Sequence, residues 1–309
     1  MIKRHILLLC YMCLLGTMTQ AQPRITIDLA HPGAQISPTM YGVFFEDINF
    51  GADGGLYAEL VKNRSFEFPR PLEGWRVMKR PTIGDVLIMR DETRPRNPRY
   101  LRIRVDQAAR GIGLVNEGFR GMGIRAQAGY RFSVDARKIK GNISTLRMQI
   151  LGSKDQVLAE GRVQGFSSNW GSYACDMTAR QTDAKAKLRV WTEGKGQLDI
   201  DMVSLFPVDT WKGRKNGLRA DLVQMLADMK PGFLRFPGGC IVEGFDLSQR
   251  YQWKHSIGDP NERILNINRW NFEFKHRPAP DYFQSYGLGY YEYFVLAEEL
   301  GAEPMPIIT

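Results

Sequence analysis

The sequence predicts two kinds of structure in one chain: an α/β part supplying the first three strands of a (β/α)8 barrel, and an all-β sandwich of jelly-roll type inserted into it. Short apolar runs followed by helical spacing occur around residues 40–63 and again over 208–309. Between about Arg70 and Pro207 the pattern becomes short alternating runs separated by Gly, Asn, Asp and Ser. The two α/β stretches supply roughly half of the ~250 residues that a closed barrel takes, so only a partial barrel is expected.

Taken in order, the first residues read as an export signal. Lys3, Arg4 and His5 form a basic start, Ile6 to Leu15 an apolar stretch, and Thr19-Gln20-Ala21 a cleavage site, which makes the chain secreted or periplasmic. The apolar stretch is shorter than the roughly 20 residues that span a bilayer, and no later segment approaches that length, so no membrane span is expected. Ile25, Ile27 and Leu29 alternate as a half-buried strand would. Met40 to Phe45 reads as a strand buried on both faces and ending at Glu46-Asp47, and Leu56, Leu60 and Val61 follow with helix-like spacing.

In the central stretch, Leu101/Ile103/Val105, Tyr130/Phe132/Val134, Leu146/Met148/Ile150, Leu188/Val190 and Ile200/Met202 each put apolar side chains on one face of a strand. After Pro207, Asn216 is a plausible N-cap for a helix striped by Leu218, Leu222, Met225, Leu226 and Met229. Phe233 to Phe236 is a buried strand, a helix from about Tyr286 to Leu300 is closed by Gly301, and Met305 to Ile308 is strand-like. The expected domains are therefore a signal over 1–21, a strand and first β/α unit over 22–69, the sandwich over 70–207, and the second and third barrel units over 208–309.

Composition narrows the function classes. The 309 residues carry 42 Lys and Arg against 33 Asp and Glu, a formal charge of +9. The basic residues are spread rather than concentrated among aromatics, so nucleic acid is not expected as a partner. Of the four cysteines, Cys10 and Cys13 fall in the signal; Cys175 and Cys240 fall in different expected domains and read as buried free thiols, a disulfide between them in an oxidising compartment being the alternative. The four histidines show no metal-ligand spacing with them, and no metal or other cofactor is expected.

Two places suggest chemistry. Carboxylates at the C-terminal end of a barrel strand commonly line an active site, which singles out Glu46 and Asp47; the alternative is a pair of charges on a connecting loop. Phe236-Pro237-Gly238-Gly239-Cys240 is a second strand end, where glycines allow close approach of a ligand and leave a thiol at the mouth; the alternative is a tight turn with a packed cysteine. In the sandwich, Trp170, Tyr173 and Trp191 could stack on a polysaccharide if exposed together, although alternating strands bury most such residues.

These residues resemble the α-L-arabinofuranosidases of glycoside hydrolase family 51. The resemblance runs through Ile36-Ser37-Pro38, Tyr41 to Asn49, Gly54 to Leu60, Asn63 to Glu67, Leu234 to Cys240, Trp253, Ile257-Gly258-Asp259-Pro260 and Gly301-Ala302-Glu303-Pro304. It implies a retaining hydrolase with a (β/α)8 barrel that removes terminal arabinofuranose from arabinan or arabinoxylan, with arabinose-containing polysaccharides or oligosaccharides as partners. Residue by residue, it implies that Glu46 hydrogen-bonds sugar hydroxyls without being a catalytic carboxylate, that Cys240 faces the sugar, and that Trp270 walls the same subsite. Trp270 taken alone reads equally as a core tryptophan.

Retaining hydrolysis needs two carboxyl groups about 5 to 5.5 Å apart. The resemblance puts the acid/base in a Gly-Asn-Glu segment after the next strand and the nucleophile farther on. This sequence has no Gly-Asn-Glu. Glu243, Glu262 and Glu273 read as solvated loop residues. No catalytic residue is therefore expected in this chain, which should be inactive alone as the N-terminal part of such an enzyme, with oligomers expected only of the complete protein. The other reading is a non-catalytic carbohydrate-binding protein acting through the sandwich.

Overall fold

The computed structural model of the chain describes residues 24–78, 84–107, 112–271 and 281–308. The expected signal, Cys10, Cys13 and Glu273 lie outside the described residues. Contacts divide the chain into one unit up to Ser37 and a second from Pro38 onward. In the first unit residues 24–37 carry no helix or strand, and Ile25, Ile27 and Leu29 are exposed. The strand expected there is not formed: alternation makes a strand only where a neighbour takes its backbone hydrogen bonds.

The second unit opens with β1 (Val43–Phe44) and then runs through β2 (Trp75–Met78), β3 (Gly84–Arg90), β4 (Arg99–Val105), β5 (Gly113–Asn116) and β6 (Met122–Ile124). It continues with β7 (Gly129–Gly141), β8 (Thr145–Leu151), β9 (Val157–Gln164), β10 (Gly171–Thr178), β11 (Asp183–Glu193) and β12 (Gly196–Pro207). Strands β10-β7-β12-β4-β3 form one antiparallel sheet and β2-β5-β11-β8-β9 another, with β6 against β11. The alternating residues meet between them: Leu101, Ile103, Phe132, Val134, Leu146, Met148, Leu188, Val190, Leu198 and Ile200 belong to one buried cluster. Met202 falls in a bulge of β12, with φ of 48°, and is outside that cluster.

On the outer face of the first sheet the basic residues are largely neutralised in place. The buried Asp199 accepts from both Arg102, at 2.6 Å, and Arg137, at 3.0 Å, and Arg94 pairs with Asp201 at 2.9 Å. The three sandwich aromatics do not share a surface. Trp170 lies among Tyr100, Arg94 and Arg137; Tyr173 packs on the core against Phe166; Trp191 is paired with Arg189 on the other sheet.

Past the sandwich come α1 (Ala220–Asp228), β13 (Phe233–Phe236), the single-turn α2 (Gly239–Glu243), β14 (Asn266–Ile267), β15 (Phe283–Gln284), α3 (Tyr290–Leu300) and β16 (Glu303–Pro306). Strands β1, β13 and β16 make a parallel three-stranded sheet in that order, with Val43 opposite Leu234 and Leu234 opposite Pro304. One face of it is covered by helices: Leu234 and Phe236 share a core with Val223 of α1 and with Tyr293, Leu296 and Ala297 of α3. The Phe236 and Tyr293 rings stack at 4.7 Å. On the other face Phe44 and Met305 are exposed.

Several local expectations are corrected. The strand expected over Met40 to Phe45, buried on both faces, is only Val43–Phe44, and Met40, Tyr41 and Phe44 are exposed. Residues 56–63 form no helix, because their backbone groups are used elsewhere: Leu60 N–H donates to Leu205 at 3.0 Å, Tyr57 bridges to Leu218, and Asn63 has φ of 56°. The cap of α1 is Arg219 rather than Asn216, and the helix turns Val223 inward while Met225 and Met229 stay 67% and 63% exposed. Helix α3 starts at Tyr290, not Tyr286, and ends as expected on Gly301 in the left-handed conformation. Cys175 and Cys240 are free but only half-buried.

The two kinds of structure are joined closely. Glu59 is buried and accepts from the N–H groups of both Val61, at 3.0 Å, and Leu205, at 2.9 Å; Tyr57 packs edge-on against Phe206. Val61 and Phe66 are themselves part of the sandwich core.

Candidate active site

Because β1 and β13 run parallel and in register, their C-terminal ends lie side by side. Phe45 N–H donates to Arg235 at 2.8 Å and Asp47 N–H to Pro237 at 3.3 Å, which lays the Glu46-Asp47 end against the Pro237-Gly238-Gly239 turn. Gly238 has φ of 114°, and a Cβ there would stand 2.5 Å from Cγ of Glu46. Glycine is required for both reasons. Cys240 follows in the first turn of α2, two residues beyond Gly238, with Arg235 near Gly239.

The third component is the turn that follows β14. Trp270 is half-buried there, and the adjacent Arg269 reaches back to the end of α2, to Glu243 at 3.2 Å and to the Gly244 carbonyl at 3.0 Å. The Trp270 ring N–H lies close enough to Glu46 to favour its charged form but completes no hydrogen bond. Oε1 of Glu46 and Nε1 of Trp270 are both buried and unpartnered. Burial pushes the Glu46 carboxyl above its ordinary range, against Trp270, Arg235 and Arg269. Unpartnered buried polar atoms cost free energy, and two of them lie together at this strand end.

Beneath this surface Asp47 is buried. It accepts from Tyr282 Oη, from Ala52 N–H at 2.9 Å and from Gln284 Nε2 at 3.1 Å. Burial raises its carboxyl, and those three donors oppose the rise. Next to it Asp53 accepts from Ser285, at 2.6 Å from the N–H and 2.7 Å from the hydroxyl. Burial and the Asp47 charge push Asp53 up to about 7.

Of the residues singled out in the sequence, the fold thus brings Glu46 and Trp270 together and sets Cys240 at the neighbouring strand end. Asp47, three residues past β1, turns inward as an anchor rather than outward with Glu46, held by Ala52, Tyr282 and Gln284. Glu243 and Glu262 are exposed, as solvated residues would be. The sequence reading passed over Arg235, although a charge inside the apolar run Phe-Leu-Arg-Phe was a signal; Arg269 gave none.

Residues 225–309 match the sequence profile of the α-L-arabinofuranosidase 1 domain. The chain is 41% identical over 304 residues to an extracellular exo-α-L-arabinofuranosidase of Streptomyces chartreusis, covering 92% of this chain and 34% of that protein. It is 35% identical over 301 residues to α-L-arabinofuranosidase 1 of Arabidopsis thaliana, covering 92% of this chain and 42% of that one. The chain belongs to the α-L-arabinofuranosidases of glycoside hydrolase family 51 and corresponds to their N-terminal portion.

Among solved structures, an arabinose-bound family 51 α-L-arabinofuranosidase superposes with a TM-score of 0.77 at 28% identity, over 90% of this chain and 45% of that one. This family 51 chain therefore spans between a third and a half of the length of these relatives.

Proposed function

We propose that this chain carries the sugar-binding side of the active site of an exported, retaining α-L-arabinofuranosidase. In this reading its parallel strands are the first three of a (β/α)8 barrel. The convergence of Glu46 Oε1 and Trp270 Nε1, both buried and without partners, carries the reading. A carboxylate beside an aromatic ring suits a furanose, whose hydroxyls donate to the acid while its C–H face lies on the ring. Cys240, at the adjacent strand end, forms a further wall of the same subsite.

Terminal arabinofuranosyl groups of arabinan, arabinoxylan or related oligosaccharides are the proposed substrates. Hydrolysis requires two facing carboxyl groups, and the family resemblance puts neither on a residue of this sequence. The chain alone is therefore proposed to be inactive. Export is supported by the N-terminal pattern and by the extracellular Streptomyces relative. No helix of the described residues is long and apolar enough to cross a membrane. Carbohydrate binding by the sandwich has weaker support, since Trp170, Tyr173 and Trp191 lie on different surfaces.

The deciding experiment is release of 4-nitrophenol from 4-nitrophenyl α-L-arabinofuranoside, by this chain and by a version extended with the remainder found in its relatives. Activity in the extended protein alone is expected; activity in this chain would overturn the division of labour. In the extended protein Glu46→Gln is expected to cost about 1.5–3 kcal/mol of transition-state stabilisation through lost charge-assisted bonds, and unchanged turnover would remove Glu46 from the site.

A further inference from the structure

We infer that Asn268 is a positioning residue that sets Trp270 against Glu46, a role that rests on the proposed sugar site but on geometry of its own. Its side chain is fully buried and both ends are used. Nδ2 donates to the backbone carbonyl of Asp47 at 2.8 Å, one residue beyond Glu46. Oδ1 accepts from the backbone N–H of Trp270 at 2.9 Å. One amide thereby ties the β1 strand end to the turn that carries the tryptophan.

The rest of the turn is held around the same residue. Asn268 N–H donates to Tyr282 at 3.2 Å, its carbonyl accepts from Asn271 Nδ2 at 2.8 Å, and Tyr282 Oη donates to the Asp47 carboxylate. Asp47 is thus gripped by its side chain from Tyr282 and by its carbonyl from Asn268. Only the second grip also reaches Trp270. The pairing is specific for an amide: one partner is an acceptor and the other a donor, so the side chain must offer one of each in this orientation. A carboxylate would set oxygen against the Asp47 carbonyl, and an aliphatic residue would leave both partners buried and unpaired. The Trp270 ring makes no hydrogen bond of its own to hold it in place. The ring packs against the α/β core and under Arg269, and Asn268 sets the backbone that carries it against the end of β1.

The test is nitrogen-15 NMR of the whole chain, with the Trp270 indole N–H signal identified by its loss in Trp270→Phe. In the otherwise unchanged chain, Glu46→Gln is expected to shift that signal. In an Asn268→Ala background the same change is expected to leave it in place. In an Asn268→Asp background the response is expected to be lost at neutral pH, where the introduced carboxylate cannot donate to the Asp47 carbonyl. A shift of full size in both backgrounds, or none in the otherwise unchanged chain, overturns the inference. If Asn268→Ala does not fold, Asn268→Asp at neutral pH decides alone. Titration of the same samples with L-arabinose is expected to show affinity reduced by roughly tenfold in Asn268→Ala, the equivalent of one or two lost hydrogen bonds. Failure of the otherwise unchanged chain to bind arabinose would count against the sugar site, whereas the indole response reads the positioning role without any sugar.

Discussion

Glu46 and Gly238 share one space: the side chain of the first lies where any side chain on the second would have to go, 2.5 Å from the Cβ position. Two strand ends are brought together by that absence. Gly238→Ala is expected to push Glu46 away from Trp270 and to strain a backbone held at φ of 114°. The strain alone should destabilise the chain by about 1–3 kcal/mol. Chemical denaturation would measure the loss, and an unchanged midpoint would mean that the turn adapts without displacing Glu46.

Arg263 is heavily engaged in the α/β part. It is 2% exposed by side chain, forks onto both oxygens of Glu292 at 2.8 Å, and also donates to the carbonyls of Gly258 and Tyr286. Through Glu292, which accepts from Gly289 N–H at 2.9 Å, it fixes the start of α3. Arg263→Met leaves that carboxylate without its partner and is expected to cost about 3–5 kcal/mol, read as a lower denaturation midpoint. A loss below about 1 kcal/mol, typical of an exposed pair, would contradict the burial.

Asp53 should make stability fall as pH rises. Its carboxyl moves from an ordinary value of 3.8 to about 7 in the folded chain, so between those values the folded state holds a proton that the unfolded state has released. The stabilisation is complete below about 4 and is lost through about 7. Asp53→Asn removes this dependence. The melting temperature of the unsubstituted chain is expected to drop more between pH 4.5 and 7.5 than that of Asp53→Asn, and parallel curves would show that the carboxyl is not buried uncharged.

Limited proteolysis should distinguish the two kinds of structure. The parallel sheet has only three strands, with Phe44 and Met305 exposed on its uncovered face, whereas the sandwich closes two sheets over a continuous core. A protected fragment ending near Pro207 is expected. It should reach back to about Leu60, because Val61 and Phe66 pack in the sandwich core. Survival of the whole chain uncut would show that the parallel sheet is as stable as the sandwich.

Much of the architecture was legible in the residues. Period-two runs such as Leu101/Ile103/Val105 and Phe132/Val134 need no distant information to face a core, since alternation alone puts them on one side of a strand. Phe233 to Phe236, and the closure of α3 by Gly301, were equally local. Reading failed where an apolar spacing had another use. Leu56, Leu60 and Val61 look helical, but their backbone is bonded to Leu205 and Leu218, and Val61 belongs to the sandwich.

The candidate site divides in the same way. The sequence by itself determined that a carboxylate follows β1, that paired glycines follow β13, and that both segments resemble one family of enzymes. Only the tertiary structure decided that Asp47 is fully buried while Glu46 is partly so, and that Trp270 arrives beside it. That meeting depends on the Asn268 amide joining residues 221 positions apart in the chain. Hydrogen bonds across such a separation leave no periodicity or spacing to read, because they depend on how the elements pack and not on which residues are neighbours in sequence.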